Sequence, residues 1–551
     1  MKHRICAALL AIAPFASGQT ATATEPSPAM LKRIDGVFAD FNPSTPGCAF
    51  ALVDHGRTVY EQGYGLASVE HGVAIDPHRT VFDIGSLSKQ FTAASILLLA
   101  HDGRLSLDDD IRTYVPELPR YGATVTLRQL LHHTSGISDY LELLDIDGVN
   151  PEDVATGEDA LSALSRKKTL DFAPGSEFSY SNSGYFLLSM VVKRVSGKPF
   201  NSFAKTSIFD PLGMSATSVL GDHTRIIAHR ATPYDTDEPG KFRLSASNWE
   251  QSGDGGMQST VDDLARWDAN FYHPRVGGPW LVEALQTQGV LHDGSTIAYA
   301  NGVIVDHYRG LRTVSHRGVW AGFRAAALRF PDQQVSEIAL CNVGNANPEQ
   351  RLLAVADIVL ASLLQPLPAR QRMTLSPQQY AGTYANLDKG KLRVFSVKDD
   401  RVYYLDGSGA EVELGYIGNN TFQAVADSRL QIRFLSTRAG ARRVEVKPAG
   451  LQPVLFSEVT AAKPSSADLH AYEGSYTSPD LRSRWTLKEE SGTLTLRGER
   501  GPAIPLEPAF DDAFFVSNVL FRFERGSDRA VTGFTLARDR VRKLVFVRSG
   551  S

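Results

Sequence analysis

The last third of the chain contains an internal repeat, and this repeat constrains the fold more than any other feature of the 551-residue sequence. The pentapeptide Tyr-Ala-Gly-Thr-Tyr at residues 380–384 recurs, 92 residues further on, as Tyr-Glu-Gly-Ser-Tyr at residues 472–476. Around both copies, apolar and polar residues alternate with a period of two, which is typical of strands with one buried face. A unit of about 90 residues built from short strands suits a small barrel or sandwich. We therefore predict two similar all-β domains in tandem, at residues 374–460 and 467–551.

The first two thirds of the chain have a different pattern, in which strand-like runs at both ends enclose helical segments. The runs at residues 48–53 and 58–63 are predicted to be two strands joined by a turn. Three more strand-like runs lie between residues 313 and 343, and a predicted helix at residues 349–364 closes the region. We expect an α/β (α+β) domain at residues 27–366, in which helices flank an antiparallel sheet that joins its N- and C-terminal segments.

A serine at the start of a predicted buried helix is the strongest candidate for chemistry. Residues 87–100 carry apolar residues at helical spacing, and the second half of this segment is apolar on every side. Ser86 falls at the helix N-terminus, where backbone N–H groups are free, and Lys89 follows one turn later on the same face. This is the layout of a nucleophile with an amine base beside it. The Ser-x-x-Lys spacing also starts at Ser165 and Ser202, so the pattern needs partners elsewhere.

Two further short motifs supply those partners. Tyr180 and Asn182 stand just before a predicted helix at residues 185–195, where a tyrosine can relay a proton and an amide can orient a substrate. His316 lies on a predicted strand, where it can donate a hydrogen bond to Tyr180 or to substrate. Gly318 leaves room there for a substrate backbone. An acyl-transfer serine enzyme needs such a base, a proton donor and oxyanion-binding N–H groups.

The ordered set of motifs resembles the serine β-lactamase/DD-peptidase family, over about residues 31–364, and most closely its class C β-lactamase-like hydrolases. The segment Gly-Gly-Met-Gln-Ser-Thr at residues 255–260 agrees with this resemblance. The resemblance implies a β-lactamase/transpeptidase-like fold for the first domain.

The resemblance also implies a role for each motif residue. Ser86 would be the acylated nucleophile, and Lys89 and Tyr180 would share the acid–base work. Asn182 would position the substrate, while the backbone N–H groups of Ser86 and Val319 would form the oxyanion hole.

The third motif departs from the β-lactamase form, because His316 stands where a lysine is usual. Histidine at this place is similar to certain DD-carboxypeptidases and D-aminopeptidases. The D-aminopeptidases also carry two β-barrel domains after the catalytic domain, which implies small lipocalin-like barrels here. Arg317 either restores the lost positive charge or points away along the strand. The candidate substrate-binding residues are Asn182, His316, Arg317, Gly318 and Val319.

These observations lead to a first hypothesis of a serine hydrolase that acts on short peptides or amides containing D-residues. A carboxylesterase or a weak β-lactamase of the same family is the alternative within this class. A protein that binds penicillin-like or cell-wall ligands without turnover is the alternative from another class. The expected partner is a small molecule or short peptide, and a homodimer is possible.

The N-terminus has the pattern of a secretory signal peptide. Lys2, His3 and Arg4 precede an apolar run and then small residues, so we predict a cleaved signal at residues 1–23 and a periplasmic or secreted protein. No later apolar stretch reaches the ~18 residues of a membrane span. The formal net charge is −4, and basic residues are scattered among acidic ones, which argues against nucleic-acid binding.

Two cysteines follow the predicted signal peptide, Cys48 and Cys341, and both lie in strand-like runs. We expect buried free thiols, and an oxidising compartment leaves a disulfide as the alternative. The histidines are dispersed, and the pair His132 and His133 has no carboxylates at ligand spacing. No metal site and no cofactor are predicted.

Overall fold

The computed structural model describes residues 25–549 except 239, 406–410, 426, 436–441, 461 and 518. The predicted signal peptide at residues 1–23 lies outside the described residues. Within the described ranges, no helix combines the length and the apolar composition needed to cross a membrane.

The first unit of the fold is a central sheet surrounded by helices. Its helices are α1 (Pro28–Val37), α2 (Lys89–His101), α3 (Ile111–Tyr114), α4 (Leu127–Leu131), α5 (Tyr140–Ile146), α6 (Gly157–Arg166), α7 (Asn182–Ser196), α8 (Phe200–Ala204), α9 (Asp210–Leu212), α10 (Val261–Ala269), α11 (Gly278–Leu285) and α12 (Pro348–Val359). Its strands are β1 (Cys48–Asp54), β2 (Arg57–Tyr64), β3 (Leu66–Ser68), β4 (Val73–Ala74), β5 (Phe82–Asp83), β6 (Ser218–Val219), β7 (Tyr234–Glu238), β8 (Lys241–Leu244), β9 (Met257–Ser259), β10 (Ile304–Tyr308), β11 (Leu311–Trp320), β12 (Phe323–Phe330) and β13 (Val335–Cys341).

The central sheet has the order β10-β11-β12-β13-β1-β2, with antiparallel neighbours throughout. Successive side chains along its strands pack alternately into two hydrophobic cores, one on each face of the sheet. On β1, Ala49 and Ala51 pack into a core shared with the buried helices α2 and α7. Phe50 and Leu52 pack on the opposite face, in a core shared with α1 and α12. Because both faces are covered, β1 is apolar along nearly its whole length.

The two cysteines form a disulfide bond, so the expectation of free thiols was wrong. Cys48 and Cys341 lie directly opposite each other in the antiparallel pairing of β1 with β13, with their Cα atoms 4.0 Å apart. The sequence placed both cysteines in strands but carried no information on which strands pair or in which register. The bond joins the first and last strands of the first unit.

The C-terminal third folds into two closed barrels. The first barrel contains β14 (Gly382–Asn386), β15 (Lys391–Lys398), β16 (Arg401–Leu405), β17 (Glu411–Gly418), β18 (Thr421–Ala424), β19 (Gln431–Leu435), β20 (Arg443–Lys447) and β21 (Val454–Glu458). After α13 (Ser466–His470), the second barrel contains β22 (Gly474–Thr477), β23 (Arg484–Glu490), β24 (Thr493–Arg497), β25 (Ile504–Phe510), β26 (Ala513–Val516), β27 (Val519–Arg525), β28 (Val531–Arg538) and β29 (Val541–Arg548).

The repeated tyrosines explain why the pentapeptide occurs twice. Tyr380 and Tyr384 are buried in the aromatic core of the first barrel, and Tyr472 and Tyr476 are buried in the second. Each motif therefore supplies aromatic rings that fill the end of a small barrel. The predicted class of fold, an α/β domain with an antiparallel sheet followed by two small β-barrels, is confirmed.

Candidate active site

Ser86 and Lys89 meet at the start of the buried helix α2. Ser86 lies in a 3₁₀ turn, Gly85–Ser88, directly before this helix. The Nζ atom of the fully buried Lys89 lies 2.9 Å from Ser86 Oγ, 2.8 Å from Asn182 Oδ1 and 2.7 Å from the carbonyl oxygen of Asp254. In its deprotonated form, the Lys89 amine can donate its two N–H groups to the two carbonyl-type oxygens. Its lone pair is then directed at the Ser86 hydroxyl, as a general base requires.

Strand β11 passes close to this 3₁₀ turn because two glycines face each other there. A Cβ atom on Gly85 would lie 2.7 Å from the backbone nitrogen of Val319. A Cβ atom on Gly318 would lie 2.0 Å from the carbonyl oxygen of Ile84 and 3.2 Å from the nitrogen of Ser86. The two glycines therefore let the turn that carries Ser86 approach the strand that carries Val319, so the backbone N–H groups of these two residues are candidates for an oxyanion hole. The space that we expected substrate to fill beside Gly318 is taken by Ile84.

Asn182 is held by a buried carboxylate. It is the first residue of α7, whereas the sequence had placed it in the preceding loop. Its backbone N–H donates to Asp139 Oδ2 at 2.7 Å and its side-chain amide donates to the same oxygen at 2.9 Å. Asp139 is fully buried and also caps α5 through the N–H of Leu141 at 2.9 Å. These two hydrogen bonds to Asp139 fix the Asn182 amide with its oxygen directed at Lys89.

The Tyr180 ring lies close to Lys89 and Arg540. The Lys89 Nζ atom is 4.9 Å from the centre of the ring, and the Arg540 guanidinium carbon is 5.1 Å from it. His133 packs against the same ring, with the centroids 4.2 Å apart. Burial and the charge of Lys89 hold the pKa of His133 well below its usual value, so this histidine is a neutral support.

Arg540 comes from the second barrel, in the turn between β28 and β29. Its carbonyl oxygen accepts a hydrogen bond from the Asp139 N–H at 3.0 Å, and its own N–H donates to Glu142 Oε2 at 3.0 Å. Its guanidinium lies 3.7 Å from Asp139 Oδ2. Burial lowers the pKa of Arg540, but the charges of Asp139 and Glu142 outweigh burial and leave the pKa above its ordinary value. Arg540 therefore remains a cation within the centre.

His316 is near the centre, but its hydrogen bonds differ from those predicted. Its Nδ1 lies 2.7 Å from the carbonyl oxygen of Arg317, which only accepts, so Nδ1 carries the proton. Its Nε2 lies 3.0 Å from the Tyr299 hydroxyl and accepts from it. Burial and the charge of Lys89 lower the pKa of His316 to about 3. His316 is therefore a neutral residue. It forms a hydrogen bond with Tyr299, in place of the predicted hydrogen bond with Tyr180.

Arg317 does not join the centre, so the alternative in which it points away is correct. Its side chain is 71% exposed, and its guanidinium is 3.6 Å from Glu349 on α12. Neighbouring residues on β11 face opposite sides of the sheet, and His316 and Gly318 occupy the side of α2. Arg317 lies on the other side, with α12.

Four residues of the centre were missed from the sequence. Tyr299 begins a Tyr-x-Asn pattern that also occurs elsewhere in the chain, so it gave no distinct signal. Asp139 precedes an apolar run and could have been identified as a helix cap, although not as the partner of Asn182. Asp254 lies in a glycine-rich segment that resembles an ordinary loop. Arg540 has no local signal at all, because a different domain brings it to the site.

Among the residues that the structure describes, two other clusters hold side chains of the types that bind metals. Each offers one histidine and two carboxylates whose ligand atoms lie within 4.8 Å of one another. The first cluster comprises Glu61, His78 and Asp262, and the second comprises Asp222, His223 and Glu250. In each cluster the histidine contacts one of the carboxyl groups directly, at 3.0 Å between His78 and Glu61 and at 2.7 Å between His223 and Glu250.

Comparison with known proteins agrees with this geometry. A D-aminopeptidase from Gluconobacter oxydans is 28% identical over 345 residues, which cover 63% of this chain and 64% of that protein. Penicillin-binding protein 4* from Bacillus subtilis is 29% identical over 63% of this chain and 81% of its own length. The chain therefore spans less than two thirds of that D-aminopeptidase.

Solved structures show the same fold. The octameric penicillin-binding protein homologue from Pyrococcus abyssi superposes with a TM-score of 0.56 at 23% identity, over 78% of this chain and 99% of its own. The D-amino acid amidase from Ochrobactrum anthropi SV3 gives 0.52 at 22% identity, over 61% and 99%. The Beta-lactamase family model matches residues 34–361, which include every candidate residue of the centre except Arg540. This chain belongs to the beta-lactamase family.

Proposed function

We propose that this protein is a serine hydrolase that forms an acyl-enzyme on Ser86 and acts on short peptides or amides containing D-residues. The observation that carries the proposal is the contact of 2.9 Å between Lys89 Nζ and Ser86 Oγ, made by an amine whose other contacts are two oxygen acceptors. That arrangement directs the lone pair of a neutral amine at the nucleophile.

The acylation step follows from the positions of these groups. Lys89 takes the proton of the Ser86 hydroxyl as Oγ attacks the substrate carbonyl carbon. The negative charge that develops on the carbonyl oxygen is stabilised by the N–H groups of Ser86 and Val319; one such donor typically contributes about 3 kcal/mol to the transition state. The proton that Lys89 has taken passes through Tyr180 to the nitrogen of the leaving amine as the C–N bond breaks. Water then attacks the acyl-enzyme with the help of the same groups in reverse, and the acid is released.

Two observations at the third motif argue against a site for the carboxylate of a β-lactam. His316 is neutral, since burial and Lys89 lower its pKa to about 3. Arg317, the positively charged residue of this motif, faces α12. The D-aminopeptidase and D-amino acid amidase among the similar proteins support D-residue amides as the substrate class.

Three alternatives are separated by a single panel of substrates. Initial rates are measured with D-alanyl amides, a D-Ala-D-Ala peptide, nitrophenyl esters and a β-lactam, using wild type and Ser86→Ala. Turnover of the amides that disappears in Ser86→Ala supports the proposal. Turnover of esters alone supports the carboxylesterase, and turnover of the β-lactam alone supports the β-lactamase. Binding without turnover of any substrate supports the non-catalytic ligand-binding protein.

We also propose that the protein is exported to the periplasm or beyond. The signal-like N-terminus and the Cys48–Cys341 disulfide support this location, because such bonds persist in oxidising compartments. N-terminal sequencing of the protein from fractionated cells tests it, and an intact Met1 in the cytoplasmic fraction would contradict it. The homodimer stays a prediction, which light scattering of the purified protein tests.

A further inference from the structure

A cavity of about 250 Å³ opens beside the candidate centre and has no role in the mechanism above. Its walls come from α5, from the two loops that contain residues 149–151 and 247–249, from the end of β11 and from the second barrel. The lining residues are Leu141, Glu142, Asp145, Val149, Pro151, Ser247, Trp249, Trp320, Ala321 and Arg538.

Three of these segments also build the catalytic centre, which fixes the position of the cavity. Trp320 directly follows Val319, whose N–H is a candidate oxyanion donor. Glu142 lies on α5, whose cap Asp139 holds Asn182. Arg538 ends the strand before the turn that carries Arg540. The cavity therefore adjoins the place where the substrate carbonyl binds.

One side of the cavity is aromatic and rigid. The rings of Trp249 and Trp320 lie 5.9 Å apart and are tilted by 58°. The indole N–H of Trp249 donates to the carbonyl oxygen of Asn150 at 2.9 Å, which fixes this ring. Leu141 and Val149 are half-buried and extend the apolar surface. Aromatic rings pack favourably against one another in offset or edge-to-face pairs, so either indole ring offers a surface for a ring of the substrate.

The opposite side is polar, but its charges are already paired. Arg538 forms an ion pair with Asp145, and Glu142 accepts the backbone N–H of Arg540 at 3.0 Å. A charged side chain entering the cavity would have to break these contacts or bury an unpaired charge. The aromatic side is the one that offers unused contact surface.

We propose that this cavity binds the side chain of the substrate residue whose carbonyl is attacked, and that it selects an aromatic side chain. The proposal rests on the proposed function and names its substrate class. The volume lies below the ~300–1,000 Å³ of pockets for drug-sized ligands and suits a single ring. Burying such a ring removes apolar surface from water, so we expect a preference of roughly 10-fold or more.

The test compares D-phenylalanyl and D-alanyl p-nitroanilides, which share one leaving group. Wild type should hydrolyse the phenylalanyl substrate with a kcat/KM at least ~10-fold higher. Val149→Trp, which fills the cavity, and Trp320→Ala, which removes one wall, should each reduce this ratio to below ~3-fold. Trp280→Ala is the matched control, because Trp280 stacks on His101 outside the cavity and should leave the ratio unchanged.

A binding measurement keeps the test valid if no nitroanilide is hydrolysed. Ser86→Ala is titrated with D-phenylalaninamide and with D-alaninamide by calorimetry, and the phenylalanine compound should bind at least ~10-fold more tightly. Adding Val149→Trp should abolish that difference. Equal affinities for the two amides, or a preference for D-phenylalaninamide that survives in Val149→Trp, would overturn the proposal that this cavity binds the substrate side chain. Failure of turnover with this binding preference intact would count only against the proposed function.

Discussion

The two C-terminal barrels share one strand order and one starting motif, and each contacts the catalytic domain through its last hairpin. In the first barrel, the loop between β20 and β21 places Gly450 against Ile304 and lets Gln452 donate to the carbonyl oxygen of Thr296 at 2.8 Å. In the second barrel, the turn between β28 and β29 places Arg540 against Asp139 and Tyr180. Equivalent hairpins thus carry an amide contact in one barrel and a cation in the catalytic centre in the other.

This difference shows that the repeat determines the fold of each barrel, whereas the loops determine which contacts the barrel makes. The Tyr-x-Gly-x-Tyr motif and the period-two alternation build the same aromatic-filled barrel twice. Loop tips are free of that constraint, so they can diverge while the barrel stays the same. The hairpin of the first barrel makes an amide contact with the catalytic domain, and the hairpin of the second barrel brings a cation to the candidate centre.

The largest effect should come from removing the cation at the tip of the second barrel, because this cation is what distinguishes its hairpin from that of the first barrel. In Arg540→Gln, the rate of acylation should fall by on the order of 10–100-fold, since buried Asp139 loses a charged partner and Tyr180 loses a neighbouring cation. Stopped-flow measurement with an activated ester gives this rate. Thermal melting of the same variant reports whether the fold is retained.

The matched control for this change lies in the first barrel. Arg429 is 3.1 Å from Glu349 of α12, so it also joins a barrel to the catalytic domain. Arg429→Gln should change the acylation rate by less than ~3-fold, because the pair is remote from Ser86 and acts only in docking. Equal losses in Arg540→Gln and Arg429→Gln would mean that both barrels act merely as supports.

A smaller effect should come from removing the ion pair that joins the two barrels. Lys391 of the first barrel forms an ion pair with Asp539, the residue next to Arg540. Lys391→Met should loosen this hairpin and lower the acylation rate by up to about fivefold, as expected for a partly exposed ion pair. The double variant with Arg540→Gln should lose no more activity than Arg540→Gln alone. Additive losses would show that Lys391 acts independently of the hairpin.

The smallest effect concerns the dependence of stability on pH. Burial and the charge of Asp139 raise the pKa of Glu142 from 4.5 to about 7. The native state then keeps a proton that the unfolded chain releases, so this group makes stability fall as the pH rises from about 4.5 to 7. Glu142→Gln should therefore gain stability relative to wild type across that range. Urea unfolding at several pH values measures the difference.

Glu177 should show the opposite trend and provides the control. It binds Lys389 of the first barrel at 3.1 Å and Arg542 of the second at 3.2 Å. Burial raises its pKa, but these two cations outweigh burial and leave the pKa below its usual 4.5. Its stabilising contribution is present above about pH 4.5 and is lost as the pH falls further. The cost of Glu177→Gln should therefore shrink in acid, and a parallel trend in both variants would contradict the assignment.

The motif residues of the centre could be predicted from sequence because each motif is local. Ser86 and Lys89 share one helical turn, and Tyr180 and Asn182 flank one helix start, so short spacing determines their geometry. The barrels were predictable for a similar reason, since alternation and a repeat are properties of the chain itself. In each case the information lies within a few residues or within one period.

The failed and missing predictions all depend on which segments meet in space. The pairing of Cys48 with Cys341 needs the register of β1 against β13, and the choice of Tyr299 as partner of His316 needs two distant segments. The direction of Arg317 depends on which face of the sheet holds α2. Arg540 depends on how a whole barrel docks. Period and spacing carry no information on such contacts.

The central claim is that Ser86 is a nucleophile activated by Lys89, and covalent labelling tests it most directly. Wild type, Ser86→Ala and Lys89→Met are incubated with a fluorophosphonate, and the intact mass is followed over time. Wild type should gain the mass of one adduct, Lys89→Met should react more slowly by on the order of 100-fold or more, and Ser86→Ala should stay unmodified. An adduct of equal extent on Ser86→Ala, or none on wild type, would contradict the account.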